Sequence, residues 1–191
     1  MKILGIDTST EICALGLLVE GEMLAEINLK LDRRHSERLM PNLVHLFQES
    51  GLEIKEIEGM AVTIGPGSFT GLRIGLSTVK AMAQYLQVPV RGVSTLEVLA
   101  QGCTGCQGLL VPVLDARRQR VYTALFRSKH SRPQMSSLRR IWKDQALPVS
   151  ELIGQLERLD DSRTIYVTGN GIASYGEMFV ESGLNAVFMP P

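Results

Sequence analysis

Apolar residues fall in short runs at the start of the chain. Residues 2–6 and 13–19 are near-continuous apolar stretches, residues 23–31 alternate in part, and Glu20-Gly21-Glu22 supplies turn chemistry before the third, so the pattern predicts three consecutive strands. From Ser36 the period lengthens. Leu39, Leu43 and Leu46 form one row and Met40, Val44 and Phe47 an adjacent one, which predicts a helix with a wide apolar face ending near Gly51. A strand over 59–64 then runs into Gly65-Pro66-Gly67-Ser68-Phe69-Thr70-Gly71, and a second helix follows over 72–86. A strand over 88–93 comes next, and Ser94 with Glu97 three residues later is a capping-box signature for a third helix.

After a glycine-rich stretch at 102–108 the pattern starts again. Residues 109–114 and 120–126 read as strands around a turn at 115–119, followed by a polar segment, a strand near 138–142, and a helix from about 150. A strand over 165–168 and a final helix after Gly169-Asn170-Gly171 complete it. Each half is strands first, then helices alternating with strands. The chain is therefore expected to be α/β and built of two related lobes, 1–102 and 103–191.

Composition narrows the class. With 191 residues, 45% of them hydrophobic, and a net charge of zero, the chain can bury a sizeable core and is not compositionally disordered. Its longest uncharged stretch, between Glu97 and Asp115, is broken by Gln, Thr, cysteines and glycines, so no membrane span is expected. Asp7 interrupts the stretch a signal peptide would need, so a cytoplasmic setting is expected. Cys13, Cys103 and Cys106 are too few for a disulfide framework. Cys103-Thr104-Gly105-Cys106 lacks the second ligand pair of a zinc site, and His35 and His45 are too far apart on one helix to share an ion, so no metal is expected.

Three segments carry candidate chemistry. The glycine loop at 65–75 sits between a strand and a helix, where anions bind, but Leu72 stands where a phosphate loop needs lysine and Thr70 breaks a dinucleotide fingerprint. The glycines are better explained by a tight turn and by Gly71 and Gly75 letting another element approach the helix backbone. Asp7-Thr8-Ser9-Thr10 places an acid and hydroxyls at a strand end, as actin-like phosphotransferases do for metal-bound phosphate; the alternative is an Asx turn on Asp7. Residues 116–143 hold nine Lys or Arg, including Arg117, Arg118, Arg120, Arg127, Arg139 and Arg140, and no acid. With Tyr122 and Trp142 as stacking partners this is a candidate polyanion surface; the alternative is a solvated hairpin with acids supplied by the other lobe.

ILGIDTST at the start, HSERLMPNL at 35–43, GPGSFTGLRIGLSTVKAMA at 65–83, LDARR at 114–118 and TGNG at 168–171 occur in order over nearly the whole chain. Together they resemble the bacterial TsaB (YeaZ-like) family of tRNA threonylcarbamoyladenosine synthesis. The resemblance implies a two-lobed actin-like fold of the sugar-kinase and heat-shock-protein superfamily, with ribonuclease-H-like lobes and a degenerate nucleotide site. It implies a noncatalytic subunit that binds and stabilises a TsaD-type catalytic paralogue. With a TsaE-type ATPase, that paralogue would threonylcarbamoylate adenosine 37 of tRNAs reading ANN codons. No cofactor is expected on this chain alone; ATP and magnesium would belong to the complex.

Site residues follow from the resemblance and the helix rows. His35, Ser36, Leu39, Met40, Leu43 and Phe47 on the first helix and Leu72, Arg73, Leu76, Val79 and Ala83 on the second are expected at a partner interface, or at a two-fold homodimer contact when the chain is alone. Asp7, Thr8, Ser9, Gly169, Asn170 and Gly171 are expected as degenerate phosphate turns, and Arg117, Arg118, Arg120, Arg139 and Arg140 as RNA contacts. Two departures stand out. The family continues LDARR with a variable residue and Glu-Val-Tyr, whereas this chain has Gln119-Arg120-Val121-Tyr122; and the family extends beyond Pro191 into a terminal helix and strand, so the second lobe is expected to be truncated. The competing expectation is an enzyme, either an actin-like ATP-dependent phosphotransferase or a glycoprotease-like peptidase.

Overall fold

The structure is a computed structural model that describes residues 1–30, 35–103, 105–129, 137–159 and 163–190. The chain divides into two units, Met1–Thr95 and Leu96–Pro191.

In the first unit, β1 (Lys2–Asp7) pairs antiparallel with β2 (Ile12–Val19), which pairs antiparallel with β3 (Glu22–Lys30). On its other side β1 pairs parallel with β4 (Gly59–Thr63), and β4 with β5 (Val90–Val93), giving the order β3-β2-β1-β4-β5. Strand alternation sends Leu4 and Ile6 of β1 and Cys13, Leu15 and Leu17 of β2 to one buried face. Two helices cover that face, α1 (His35–Ser50) and α2 (Phe69–Leu86), through Leu39, Leu43, Leu46, Val79 and Ala83. Helix α2 starts at Phe69 because Ser68 caps it, its hydroxyl accepting from the Gly71 N–H at 3.2 Å.

In the second unit, β6 (Leu109–Asp115) pairs antiparallel with β7 (Arg120–Lys129), which pairs antiparallel with β8 (Ser137–Pro148). Strand β6 also pairs parallel with β9 (Ile165–Thr168), and β9 with β10 (Ala186–Phe188). The order β8-β7-β6-β9-β10 repeats that of the first unit strand for strand. The sheet is covered on both faces, which is why β6 reads as an uninterrupted apolar run. Leu109, Val111 and Val113 pack under α4 (Val149–Glu157) and α5 (Gly171–Glu181). Leu110 and Leu114 pack on the other side with Leu96, Ala100 and Cys103, contributed by α3 (Thr95–Gln101) and the turn after it.

This packing corrects the expected boundary. Leu96 and Ala100 are fully buried against the second sheet, so the division falls after Thr95 rather than after residue 102. Strand β10 was not expected at all, and β8 is far longer than the segment 138–142. Among the described residues no helix is long and apolar enough to cross a membrane.

Candidate partner-binding face and strand-end turns

Helix α1 presents its two apolar rows differently. Leu39, Leu43 and Leu46 lie in the core, whereas Met40 is 51% and Val44 53% exposed and Phe47 is half-buried. On α2, Val79 and Ala83 are buried, Leu72 and Leu76 half-buried, and Arg73 exposed. The expected interface set is thereby corrected: Leu39, Leu43, Val79 and Ala83 belong to the lobe's own core, since the row facing the sheet must be buried for the helix to dock. Ser36, Met40 and Arg73 remain on the outer face; the side chain of His35 lies outside the described residues.

The outer face also holds residues that the sequence pattern did not single out. Phe69 is 74% exposed on the first turn of α2, and the Arg73 guanidinium, one turn on, lies 5.3 Å from its ring centroid. An open groove of about 440 Å³ runs along Ser36, Phe69, Thr70, Arg73, Ile74, Ser77 and Thr78. Small residues at 70, 77 and 78 leave room for another helix to approach closely. The i+4 spacing of residues 69, 73 and 77 was the available signal, hidden because the helix was expected to begin at 72.

The first strand-end turn is packed shut. Thr8 and Ser9 are each 1% exposed beneath the start of α2. The Ser68 N–H donates to the Ser9 carbonyl at 2.6 Å, and a Cβ placed on Gly67 or Gly71 would run into the backbone of Ser9 or Thr8. The element that Gly71 and Gly75 admit to the helix is thus Thr8, whose hydroxyl also lies where a Gly75 side chain would go. Asp7 forms the Asx turn, its Oδ1 accepting from the Ser9 N–H at 2.8 Å and from the Thr63 hydroxyl at 2.8 Å. The cradle that a phosphate would need is filled by the chain itself. This turn does not fit a nucleotide phosphate, although Ser9 Oγ is buried with no partner among the described residues. Behind it, burial and the Asp7 charge push the Cys13 thiol up to about 11.

The second turn is its counterpart in the other unit. Asp115 Oδ1 accepts from the Arg117 N–H at 2.7 Å and from the Tyr175 hydroxyl at 2.8 Å. Asn170 Oδ1 accepts from the Asp115 N–H at 3.0 Å, while Gly169 and Gly171 lie so close to Val113 that no Cβ fits at either. The Gly169-Asn170-Gly171 turn is therefore filled by the end of β6. Its hydrogen bond to Asp115, followed by desolvation, holds the Tyr175 phenol above its ordinary value.

Among the described residues the basic segment does not assemble into one patch; Arg132 and the side chain of Lys129 lie outside them. Arg120 pairs with Pro148 at one end of the β7–β8 ribbon and Arg127 with Arg139 at the other, roughly 24 Å apart at about 3.4 Å per residue. Arg140 is committed within its own unit, to Glu97 at 2.9 Å, to Asp144, and over the ring of Phe126 at 4.5 Å. Arg140, expected as an RNA contact, is thus engaged by two carboxylates of its own unit. Arg120 donates to the Ala146 carbonyl at 2.6 Å. Arg117, Arg118 and Arg139 are exposed. Among the described residues no cluster of His, Cys, Asp and Glu is gathered for a metal ion.

Comparison with known proteins decides the family. A family model described as TsaD, tRNA N6-adenosine threonylcarbamoyltransferase, matches residues 22–179. The tRNA threonylcarbamoyladenosine biosynthesis protein TsaB of Bacillus subtilis (strain 168) is 33% identical over 178 residues, covering 93% of this chain and 75% of its own length. The chain belongs to the TsaB family. Its Escherichia coli (strain K12) relative of the same description is 33% identical over 190 residues, with 96% of this chain and 78% of that protein covered. A Pseudomonas aeruginosa crystal structure described as similar to the peptidase YEAZ superposes with a TM-score of 0.79 at 29% identity, over 100% of this chain and 83% of that one. Component A of the Acidaminococcus fermentans (R)-2-hydroxyglutaryl-CoA dehydratase, at 11% identity and a TM-score of 0.55, covering 100% of this chain and 92% of that one, shares the fold alone. The fold is the two-lobed actin-like one.

Proposed function

We propose that this chain works in tRNA threonylcarbamoyladenosine biosynthesis as a noncatalytic scaffold that binds and stabilises a TsaD-type catalytic partner. The reading rests on one observation: α1 and α2 leave Met40, Val44 and Phe69 exposed on one lobe, and a groove lined by Phe69 and small residues runs along the start of α2. Exposed apolar side chains on helices already seated on their sheet are suited to a second pair of helices. A TsaD-type paralogue of the same fold supplies such a pair, and a second copy of this chain does so when the paralogue is absent. The partner then carries the transfer to adenosine 37 of tRNAs reading ANN codons, a TsaE-type ATPase joins the assembly, and tRNA, ATP and magnesium enter through the complex rather than through this chain alone. The packing of Thr8 and Ser9 under α2, and of Gly169 and Gly171 against Val113, supports the noncatalytic reading over a phosphotransferase, as does the commitment of an oxygen of Asp7 and of Asp115 to backbone and side-chain donors of their own lobe. A cytoplasmic location follows from that role.

The test is association. Phe69→Glu and Met40→Glu should leave the far-ultraviolet circular dichroism and melting of the chain intact while weakening its binding to the TsaD-type partner at least tenfold in a titration. Full-strength binding by both variants would remove this face from the interface.

A further inference from the structure

The two strand-end turns are built to the same plan, and only one of them is strained. Four residues link Asp7 to Ile12 and four link Asp115 to Arg120, each joining antiparallel strands, and each opens with an Asx bond from the residue two along. None of residues 8–11 has a positive φ. In the second turn Arg117, Arg118 and Gln119 stand consecutively at φ +63°, +51° and +57°, a left-handed stretch with no glycine in it. The fold does not require this conformation, since the first unit makes the same connection without it.

The strained turn is held from several sides. The Ala116 N–H donates to the Arg120 carbonyl at 2.9 Å, the Arg120 N–H to the Arg117 carbonyl at 3.0 Å, and the Val149 N–H, at the start of α4, to the Gln119 carbonyl at 3.0 Å. Tyr175 fixes the Asp115 carboxylate on which the turn hangs. Thr8 and Ser9 of its counterpart are buried, yet Arg117, Arg118 and Gln119 are exposed, and among the described residues no ion pair engages Arg117 or Arg118. Strain retained where the fold has an unstrained alternative points to what the turn displays. It displays two guanidinium groups on a backbone already held in place, so only their side-chain rotamers, and not the turn itself, have to be ordered when they meet a ligand.

We infer that the left-handed turn bearing Arg117 and Arg118 is a docking point for the phosphodiester backbone of the RNA on which the complex acts. This rests on the tRNA-modification reading, which puts a polyanion beside the chain. Two adjacent guanidinium groups suit neighbouring phosphates, each of which sheds a counterion when neutralised.

The experiment uses the chain assembled with its TsaD-type partner, and the chain alone alongside, each titrated with unmodified tRNA over a salt series. Arg117→Ala/Arg118→Ala should weaken tRNA binding roughly tenfold at moderate salt and make the slope of log K against log salt shallower by about 2, one for each phosphate that is no longer neutralised. Arg117→Lys/Arg118→Lys should restore most of that slope. Partner association is measured on the same variants. Unchanged affinity and slope in the alanine variant overturns the proposal, as does loss of partner association with tRNA binding by the chain alone intact, which would assign the turn to a protein surface. If the parent chain binds tRNA through these arginines but never associates with a TsaD-type partner, the docking point stands and the scaffold reading falls.

Discussion

The Thr8 hydroxyl donates to the Gly71 carbonyl at 2.7 Å, tying the end of β1 to the first turn of α2 across a gap with no room for a side chain. Gly71→Ala would drive a methyl group into the Thr8 carbonyl. Overpacking together with the broken hydrogen bond should cost roughly 2–4 kcal/mol. Gly154 is the contrast: it lies inside α4, and a Cβ there would meet only the end of the Arg158 side chain at 3.9 Å. Gly154→Ala should therefore stabilise by about 0.5–1 kcal/mol through helix propensity. Urea unfolding of the two variants checks the pair, and a Gly71→Ala protein as stable as its parent would show that the joint between β1 and α2 is loose.

Neighbouring residues of α1 should answer differently to truncation. Leu43 is 2% exposed in the core and Met40 is 51% exposed. Leu43→Ala should lose about 2–5 kcal/mol, while Met40→Ala should stay within about 0.5 kcal/mol of the parent in the isolated chain. A charged residue at position 43 would unfold the lobe, so it is no probe of association. Equal losses from Leu43→Ala and Met40→Ala would mean that the helix turns a different face to the sheet.

How far the sequence revealed this architecture varies with the kind of signal. Repetition of strands and helices marked two related lobes, and the rows on α1 were visible as rows. Period alone does not say which row meets the sheet, so Leu39 and Leu43 were expected on the surface that Met40 and Val44 in fact occupy. Helix α2 begins three residues before the expected start because the glycines at 67 and 71, which usually break helices, serve close packing here and Ser68 caps the helix inside the loop. Strand β10 is three residues long, too short for a periodic signal, and only the observed sheet order shows it to be the counterpart of β5. Edge strand β8 runs on through polar residues whose sheet bonding depends on β7 rather than on their own hydropathy. The left-handed backbone at residues 117–119 left no trace, since arginine and glutamine carry none of the glycine or asparagine preference that marks such turns.

Relief of that strain should be measurable as stability. A non-glycine residue held left-handed costs about 1–2 kcal/mol, part of which glycine returns to the unfolded chain as entropy. Arg118→Gly should accordingly raise the unfolding free energy by about 0.5–1 kcal/mol, whereas β-branched Arg118→Val should lower it by more than about 1 kcal/mol. Thermal melting of both distinguishes the signs. If glycine destabilises and valine does not, Arg118 does not sit left-handed in solution.

Alkaline pH should weaken the first lobe through Cys13. Its thiol is fully buried beside Asp7, and burial first, then that charge, raises it from 9.0 to about 11. The folded state keeps this proton over a range in which the unfolded chain gives it up, so the contribution is complete below pH 9.0 and drains away as the pH climbs toward about 11. The loss over that window should be roughly 2–3 kcal/mol. Cys13→Ala removes it, while Cys103, raised in the same direction by burial, keeps its own share in both proteins. Urea midpoints at about pH 8 and about pH 10.5 for parent and variant make the comparison: the parent should fall further, because only it must ionise a thiol at position 13 on unfolding. Parallel declines would mean that water already reaches Cys13 in the folded lobe, and with it the space between β2 and the covering helices.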